Sequence, residues 1–464
     1  MLTLLASQPE CLWDDALPVE VKELPDDLAA LDVLLSDHEL LWPLVERWRA
    51  EFEQTGRLVL TEGRPTTALE TYVRLMVLKQ RYRWGYRTLV AEVSDSIHLR
   101  RFCRISLTER VPDESTVRKL TRRIGTETVA ELTRALIARA MREKRFRARA
   151  VRVDSTVIEA DVRYPTDAGL AAAGVRTLAR EGRKLAMLLK EKELRVRNRS
   201  RSMGQRLRAI SRTIRRRSGE AKDEVLALTA ETGELLERSV EEARRLASLA
   251  RRRARGRGAK AKLKAAAKLE QLADRCEKVA SQIEQRVAGE PIKDRIVSLF
   301  DPDARPIRKG KLGKPNEFGY VSQLAEVTEN TKPGARGLIL PASTQLGNPG
   351  ENTLLPDTVA ELTRLGISPR EVALDGGFQL GPTSEALAEL TPERVFISGR
   401  NEPGSRRTSR RLQRYRTGAE GRISHLKRRY GLDRSRLKGD EGRRTWTEWA
   451  IFAYNADTLA VRAR

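Results

Sequence analysis

The chain has 464 residues, which is long for one domain and predicts about two to four. Its 89 Lys and Arg residues outnumber 64 Asp and Glu residues, and the net charge of +25 predicts a polyanionic partner such as nucleic acid. The three cysteines (Cys11, Cys103 and Cys276) are widely separated and only three histidines occur, which disfavours a disulfide framework, a zinc site and a His-based catalytic triad. Because there is neither a long apolar run nor a signal-peptide pattern, we expect a soluble cytoplasmic protein with no membrane partner.

The sequence predicts two segments in the N-terminal part of the chain. Residues 1–64 form a Leu-rich, acidic, proline-interrupted mixed segment, to which no chemistry is assigned. Residues 65–147 predict a compact domain of short helices separated by turns, and one of these helices is basic. Its basic residues are Arg118, Lys119, Arg122 and Arg123. This pattern suits a helix-turn-helix-like DNA-binding domain, and a helical domain with solvated charges explains it equally well.

A strand is predicted directly after this segment, with Val151 and Val153 on one face and Val157 continuing it. Asp154 lies among these apolar residues, although strands disfavour Asp and an unpaired carboxylate is costly to bury. We therefore interpret Asp154 as a metal ligand. The alternative is an acid paired with one of the many arginines.

Residues 171–290 differ sharply in composition, because Arg, Lys, Glu, Ala and Leu dominate. Such a composition predicts long helices or a helical hairpin, with Gly256 and Gly258 marking a turn. Charge runs are usually solvated helix faces, but the excess of positive charge here favours contact with the phosphates of DNA. We predict a basic helical insertion.

Strands return after this insertion. We predict strands at 295–300, 318–327, 337–340, 371–375 and 394–398, a loop at 301–315, and helices at 353–365, 419–430 and 444–462. Strands that alternate with helices imply an α/β fold whose sheet has parallel neighbours. Residues 148–170 and 291–464 are thus expected to form one catalytic domain around the insertion.

Two further acids are candidates to join Asp154. Asp375 ends a predicted strand and precedes Gly376 and Gly377, at the edge where functional groups of α/β sheets gather. Since Asp-Gly is a common turn pair, a purely turn-stabilising role is the alternative. Glu420 begins the last-but-one predicted helix. Three carboxylates form the oxygen-rich ligand set that Mg²⁺ prefers, and two such ions can clamp the attacking and leaving oxygens of a phosphodiester.

Two cations flank Glu420 at helical spacing. Lys427 lies seven residues on, about 20° away around the helix, so it projects from the same side. Arg416 would share that side if the helix extended backwards, but Gly418 argues against such an extension.

At these residues the chain resembles a known family. Val-Asp154-Ser-Thr, Leu-Asp375-Gly-Gly-Phe and Gly-Ala-Glu420-Gly-Arg-Ile look like the three acidic blocks of bacterial insertion-sequence DDE transposases. Arg416, Glu420 and Lys427 fit the spacing of the Tyr-x2-Arg-x3-Glu-x6-Lys signature of that group, although Gln413 occupies the Tyr position. Residues 71–123 also resemble its helical N-terminal domain.

The resemblance implies an RNase H-like mixed sheet flanked by helices, with an insertion within the fold. It also implies that Asp154, Asp375 and Glu420 are the catalytic and metal-binding acids, with Mg²⁺ or Mn²⁺ as two ions. Arg416 and Lys427 would contact double-stranded DNA, at terminal inverted repeats and at the target. A homodimer in the synaptic complex and a nucleoid association in bacteria are implied as well. The alternatives are an RNase H-like nuclease without strand transfer and a non-catalytic basic DNA-binding protein.

Overall fold

The computed structural model describes residues 2–6, 16–56, 66–216, 218–311 and 314–462. Cys103 and Cys276 are buried free thiols, and Cys11 lies outside these residues. The chain divides into two units, one formed by Met1–Asp161 with Tyr320–Arg464 and the other by Val162–Gly319. The insertion predicted at 171–290 lies within the second unit. The finer division into four segments stays a prediction.

Helices account for most of the described chain. In chain order they are α1 (Val19–Lys22), α2 (Asp26–Leu35), α3 (Trp42–Thr55), α4 (Leu69–Arg81), α5 (Tyr86–Asp95), α6 (Ile97–Phe102), α7 (Glu114–Arg142), α8 (Asp167–Leu189), α9 (Ser200–Thr213), α10 (Gly219–Arg252), α11 (Ala259–Val287), α12 (Glu351–Arg364), α13 (Leu380–Ala386), α14 (Arg406–Arg429) and α15 (Gly439–Arg462). Two 3-10 turns are His38–Leu41 and Ala388–Leu390. None of the helices within the described ranges is both long and apolar enough to cross a bilayer.

The strands are β1 (Ala150–Ala160), β2 (Arg305–Lys311), β3 (Lys314–Thr328), β4 (Leu338–Ile339), β5 (Glu371–Leu374), β6 (Arg394–Ile397) and β7 (Arg434–Ser435). In the first unit β1 lies between β3 and β5, and β6 follows β5. The β1–β5, β5–β6 and β1–β7 pairs are parallel, whereas β3 and β4 are antiparallel. In the second unit β2 pairs antiparallel with the first part of β3. The predicted α/β class with parallel neighbours in a mixed sheet is confirmed.

One face of β1 packs into the main core of the first unit. Val151 and Val153 belong to a cluster that also contains residues of the N-terminal helices and of α15. Within it the rings of Tyr72 and Trp449 meet edge to face, with centroids 5.6 Å apart. The N-terminal helices and the sheet therefore share one core.

A glycine divides the longest N-terminal helix. Gly125 has φ of 74° inside α7, which interrupts the helix there. The Oε1 atom of Glu441 accepts hydrogen bonds from the backbone N of Thr126 (3.0 Å) and from its hydroxyl (2.7 Å). Glu441 thus satisfies a free N–H at the start of the second half of the helix, as a capping residue does.

The second unit is mainly helical, as predicted for residues 171–290. α8, α10 and α11 share a buried core of Leu, Ala and Val residues. Gly256 and Gly258 have φ of 65° and 97° between α10 and α11, which confirms the predicted turn.

Three local predictions are wrong. Residues 295–300 do not form a strand, because the Gln282 side chain of α11 hydrogen-bonds both backbone groups of Ile296. Ile296 N donates to Gln282 Oε1 (2.6 Å), and Gln282 Nε2 donates to Ile296 O (3.3 Å). The loop predicted at 301–315 instead contains β2. The helix predicted to start at 419 begins at Arg406, and Gly418 lies inside it.

A buried acid in α15 yields a prediction about stability. Glu448 is buried, its Oε1 accepts from Ala342 N (3.0 Å), and burial raises its pKa to about 8. The folded state therefore holds a proton that the unfolded state loses above a pKa of about 4.5. Consequently the free energy of unfolding should fall as pH rises from about 4.5 to about 8, by up to about 1.4 kcal/mol per pH unit.

Glu448→Gln should remove this pH dependence, since the amide oxygen still accepts from Ala342 N and carries no charge. We expect the variant to be more stable than the wild type at pH 8, with the difference shrinking towards pH 5 in urea unfolding. A constant difference at all pH values would contradict this assignment.

Candidate metal centre

The sheet register places two acids side by side. In the parallel pair of β1 and β5, Val153 lies opposite Leu374. Asp154 and Asp375 each follow one member of this pair. Asp154 is partly buried, and its Oδ1 accepts from Ser155 N (2.8 Å).

A third acid, Glu351, completes a cluster with these two. It begins α12, and one carboxylate oxygen from each of Asp154, Glu351 and Asp375 lies within 4.8 Å of the others. The start of α12 is held by neighbouring side chains: Gln323 Nε2 donates to Glu351 O (2.9 Å), and Asn352 Oδ1 accepts from Gln379 N (2.9 Å). The acid is thus tied both to β3 and to the segment that follows Asp375.

The two glycines after Asp375 make room for this arrangement. A Cβ at Gly377 would overlap Oε2 of Glu351, and a Cβ at Gly376 would lie 2.9 Å from Ser398 O. Neither residue has a positive φ. The Asp-Gly-Gly sequence is therefore required here by close packing against Glu351 and against Ser398, which directly follows β6, rather than by a positive φ.

Glu420 lies at the edge of the same site. The Arg416 guanidinium donates through Nη1 to Asp375 Oδ1 (3.0 Å) and through Nη2 to Glu420 Oε1 (2.9 Å). Since α14 begins well before Gly418, Arg416 does lie one turn before Glu420 on the same side. The Glu420 side chain is 59% exposed and reaches Asp375 through Arg416. The structure therefore brings Asp154 and Asp375 together with Glu351, and holds Glu420 beside them.

The electrostatics of the site favour a cation. Burial and, secondarily, the negative charges of Asp375 and Glu420 together raise the pKa of Asp154 to about 6, although the hydrogen bond from Ser155 N and the charge of Arg416 oppose the shift. Opposite ligands of a Mg²⁺ ion are about 4.2 Å apart, since each bond is about 2.1 Å. Oxygens within 4.8 Å of one another can therefore surround one such ion after small side-chain movements. The residues present fit a hard divalent metal.

A buried ion-pair network fixes α14 against the sheet. Arg152 lies two residues before Asp154, on the same face of β1. Its guanidinium donates to Glu326 Oε2 (2.8 and 2.6 Å) and to Tyr415 O (2.8 Å). A Cβ at Gly418 would overlap Nη1 of this guanidinium. Glycine at position 418 leaves room for the Arg152 guanidinium, and the contacts of Arg152 compensate for the low helix propensity of glycine. The same contacts hold α14 where Glu420 lies near Asp154.

Lys427, the second predicted cation of α14, also contacts the strand. Its Nζ donates to Val157 O (2.8 Å), three residues beyond Asp154. In this structure Lys427 therefore helps to hold α14 on β1.

The four basic residues predicted to bind DNA in the N-terminal helices differ in their surroundings. Arg123 donates to both carboxylate oxygens of Glu51 (3.0 and 3.1 Å) and lies over the ring of Trp48. Arg118 pairs with Glu114 on its own helix. Lys119 and Arg122 are exposed at the surface. The last two are the better placed for contact with a phosphate.

Sequence reasoning missed Glu351. A Glu in the first turn of a helix is common because it complements the helix dipole, so its residue type carried no distinguishing signal. Only the packing of α12 against the Gly376–Gly377 segment brings its carboxylate to Asp154 and Asp375.

Comparison with known protein families identifies a match in the N-terminal part of the chain. A family model described as "Transposase domain (DUF772)" matches residues 27–123, which cover α2 to the first part of α7. No curated protein and no solved structure matches the chain. The matched segment includes all of the residues 71–123 that resemble the helical domain of insertion-sequence transposases. The family match therefore shows similarity to a transposase domain over this N-terminal segment.

Proposed function

We propose that this protein is a DDE transposase, which cleaves DNA at the ends of its element and transfers the freed strand into target DNA in a metal-dependent reaction. The observation that carries the proposal is the carboxylate cluster of Asp154, Glu351 and Asp375, with Glu420 beside it. The transposase-domain match and the net charge of +25 support DNA as the substrate.

The order of elements supports an RNase H-like catalytic domain. Asp154 lies on the central strand β1, and Asp375 directly follows β5, the parallel neighbour of β1. Glu420 lies on helix α14, which packs beside β1. This is the order of acids that the resemblance to DDE transposases implies. The long helical segment follows β1 directly, where we predicted an insertion.

Asp154 and Asp375 would hold Mg²⁺ or Mn²⁺, with Glu351 as a further ligand and Glu420 available at the edge. Two bound ions would supply Lewis-acid activation of a water or 3′-hydroxyl nucleophile and charge stabilisation at the leaving oxygen. The protein itself contributes orientation. Arg416 fixes the spacing of Asp375 and Glu420 and offsets part of their charge, while the buried pair of Arg152 and Glu326 keeps α14 in place.

The proposal is tested with labelled element ends, taken from the DNA that flanks the coding region, and a target plasmid. We expect cleaved and joined products with Mg²⁺ and none with EDTA. Asp154→Ala should bind the ends but neither cleave nor join them, because the central metal ligand is lost. Asp161→Ala, which removes an exposed acid just beyond β1, serves as the matched control and should be active.

The other outcomes separate the alternatives. Metal-dependent cleavage without joined products would indicate a nuclease of the RNase H-like type. DNA binding that is unchanged by EDTA, with no cleavage by the wild type, would indicate a non-catalytic DNA-binding protein. We expect the joined product to form in a complex of two protomers, because two ends must be held together.

A further inference from the structure

A cationic groove lies within the helical unit Val162–Gly319. It is bounded by α8 and by the segment 190–198 that follows it, and its volume is about 740 Å³. Exposed cationic side chains line both sides. They include Arg176, Arg180 and Arg183 of α8, and Lys192, Arg195 and Arg197 of the segment.

The groove is held in shape by packing at its floor. Val196 is buried against α8, and a Cβ at Gly182 would lie 2.5 Å from its Cγ2 atom. Ala179 and Ala186 complete the floor and are buried too. Small residues on α8 thus let the segment approach closely, so arginines of α8 and of the segment lie along the same groove.

Within the described residues, several arginines of the groove have no acidic partner. Some other arginines of this unit do pair with acids, as in Arg199–Glu242 (2.6 Å) and Arg206–Glu231 (2.7 Å). In the groove, no ion pair within the described ranges involves Arg176, Arg183 or Arg195. Arg180 pairs with the adjacent Glu181 (3.2 Å).

The acid that lines the groove does not neutralise these arginines. Glu191 Oε1 accepts from the backbone N of Lys192, Glu193 and Leu194, and Oε2 pairs with Arg253 (2.7 Å). Its hydrogen-bonding capacity is therefore taken up by the segment itself and by the end of α10. Repulsion among the unpaired groove cations is relieved when an anion binds.

We propose that this groove binds the sugar-phosphate backbone of DNA. The inference rests on the proposed function for the identity of the polyanion. The guanidinium group of an arginine can donate two parallel hydrogen bonds to two oxygens of one phosphate. Arg176 and Arg183 are about two helical turns apart, a rise of about 10.5 Å along α8, so the two side chains can reach different phosphates of one DNA strand.

The composition of the lining favours backbone contact over other modes. None of the residues that line the groove is aromatic, so it offers no platform for base stacking. Protein interfaces concentrate their binding energy in a few Trp, Tyr and Arg side chains that fill pockets. The floor of this groove consists of small Ala and Val side chains and offers no aromatic anchor of that kind. The groove therefore holds DNA independently of sequence.

The test uses the full-length protein with three arginines neutralised together, as Arg176→Gln, Arg183→Gln and Arg195→Gln. The matched control neutralises three lysines of the same unit outside the groove, as Lys222→Gln, Lys264→Gln and Lys278→Gln. Binding to a labelled random-sequence duplex is measured by fluorescence anisotropy between 50 and 200 mM NaCl. Circular dichroism melting verifies that both variants fold.

Loss of three phosphate contacts should reduce the slope of log affinity against log salt by about 2.7. The wild type should then lose about 40-fold more affinity than the groove variant over this salt range. The control should keep the wild-type slope. An unchanged slope in the groove variant, or an equal reduction in both variants, would overturn the proposal.

Two further comparisons separate this inference from the proposed function. If the wild type joins element ends while the groove variant binds DNA as the wild type does, the groove assignment fails and the transposase function stands. If the groove variant shows the reduced slope while the wild type never cleaves, the groove assignment stands and the transposase function fails. A loss of affinity confined to element ends would overturn sequence-independent binding.

Discussion

Glu351→Gln should reduce metal-dependent DNA cleavage by more than about 100-fold while leaving DNA binding unchanged. Glutamine preserves the shape of the side chain but removes the charge that a hard divalent ion requires. Loss of a residue that merely supports a metal ligand typically costs about 10- to 100-fold in affinity or activity. A carboxylate that itself lies within 4.8 Å of Asp154 and Asp375 should therefore matter at least as much.

The measurement pairs cleavage with direct Mn²⁺ binding by titration calorimetry. Asp357→Asn removes an exposed acid from the same helix and should behave as the wild type in both assays. If Glu351→Gln also cleaves and binds Mn²⁺ as the wild type does, Glu351 is not a ligand. The matching Glu420→Gln variant tests the acid predicted from the sequence. Loss of cleavage in both variants would indicate that four acids serve the site.

Gly418→Ala should destabilise the protein by about 3 to 5 kcal/mol, the usual effect of breaking a buried ion pair. The added methyl group would overlap the Arg152 guanidinium, so Arg152 has to leave Glu326 or α14 has to shift. The Arg152 and Glu326 side chains are only 3% and 4% exposed, so neither can regain water in place. If α14 shifts, Glu420 moves relative to Asp154, and cleavage should fall as well.

Gly421→Ala is the matched control, because it lies in the same helix and a Cβ there meets no atom within 4 Å. We expect it to stabilise the protein by up to about 1 kcal/mol, since alanine is the better helix former. Urea unfolding measures both variants. Equal stabilities for the two would mean that the contact of Gly418 with Arg152 has no structural role.

The difference between these two glycines shows why the start of α14 was predicted wrongly. In the sequence, Gly418 and Gly421 look the same, and both lower helix propensity. The structure continues the helix back to Arg406, since the Arg152–Glu326 pair and Tyr415 anchor it on β1. Propensity is a weak local effect, and such tertiary contacts override it.

The strand predicted at 295–300 failed for a related reason. Its apolar run is consistent with a strand, but a strand also needs a neighbour that supplies backbone hydrogen bonds. Here the side chain of Gln282 in α11 hydrogen-bonds both the backbone N and the backbone O of Ile296. No pattern within residues 295–300 could reveal that partner.

Features that depend on local pattern and charge could be predicted from the sequence alone. The alternation around Asp154 predicted the central strand, the Asp375 segment predicted a strand end, and the Ala-, Arg- and Glu-rich composition predicted the helices of the second unit. Which of these groups come into contact depends on the tertiary structure. The register of β1 on β5 sets Asp154 beside Asp375, and the packing of α12 on Gly377 adds Glu351. Close packing thus brings Asp154 to two acids that lie 197 and 221 positions further along the chain, which periodicity along the chain does not encode.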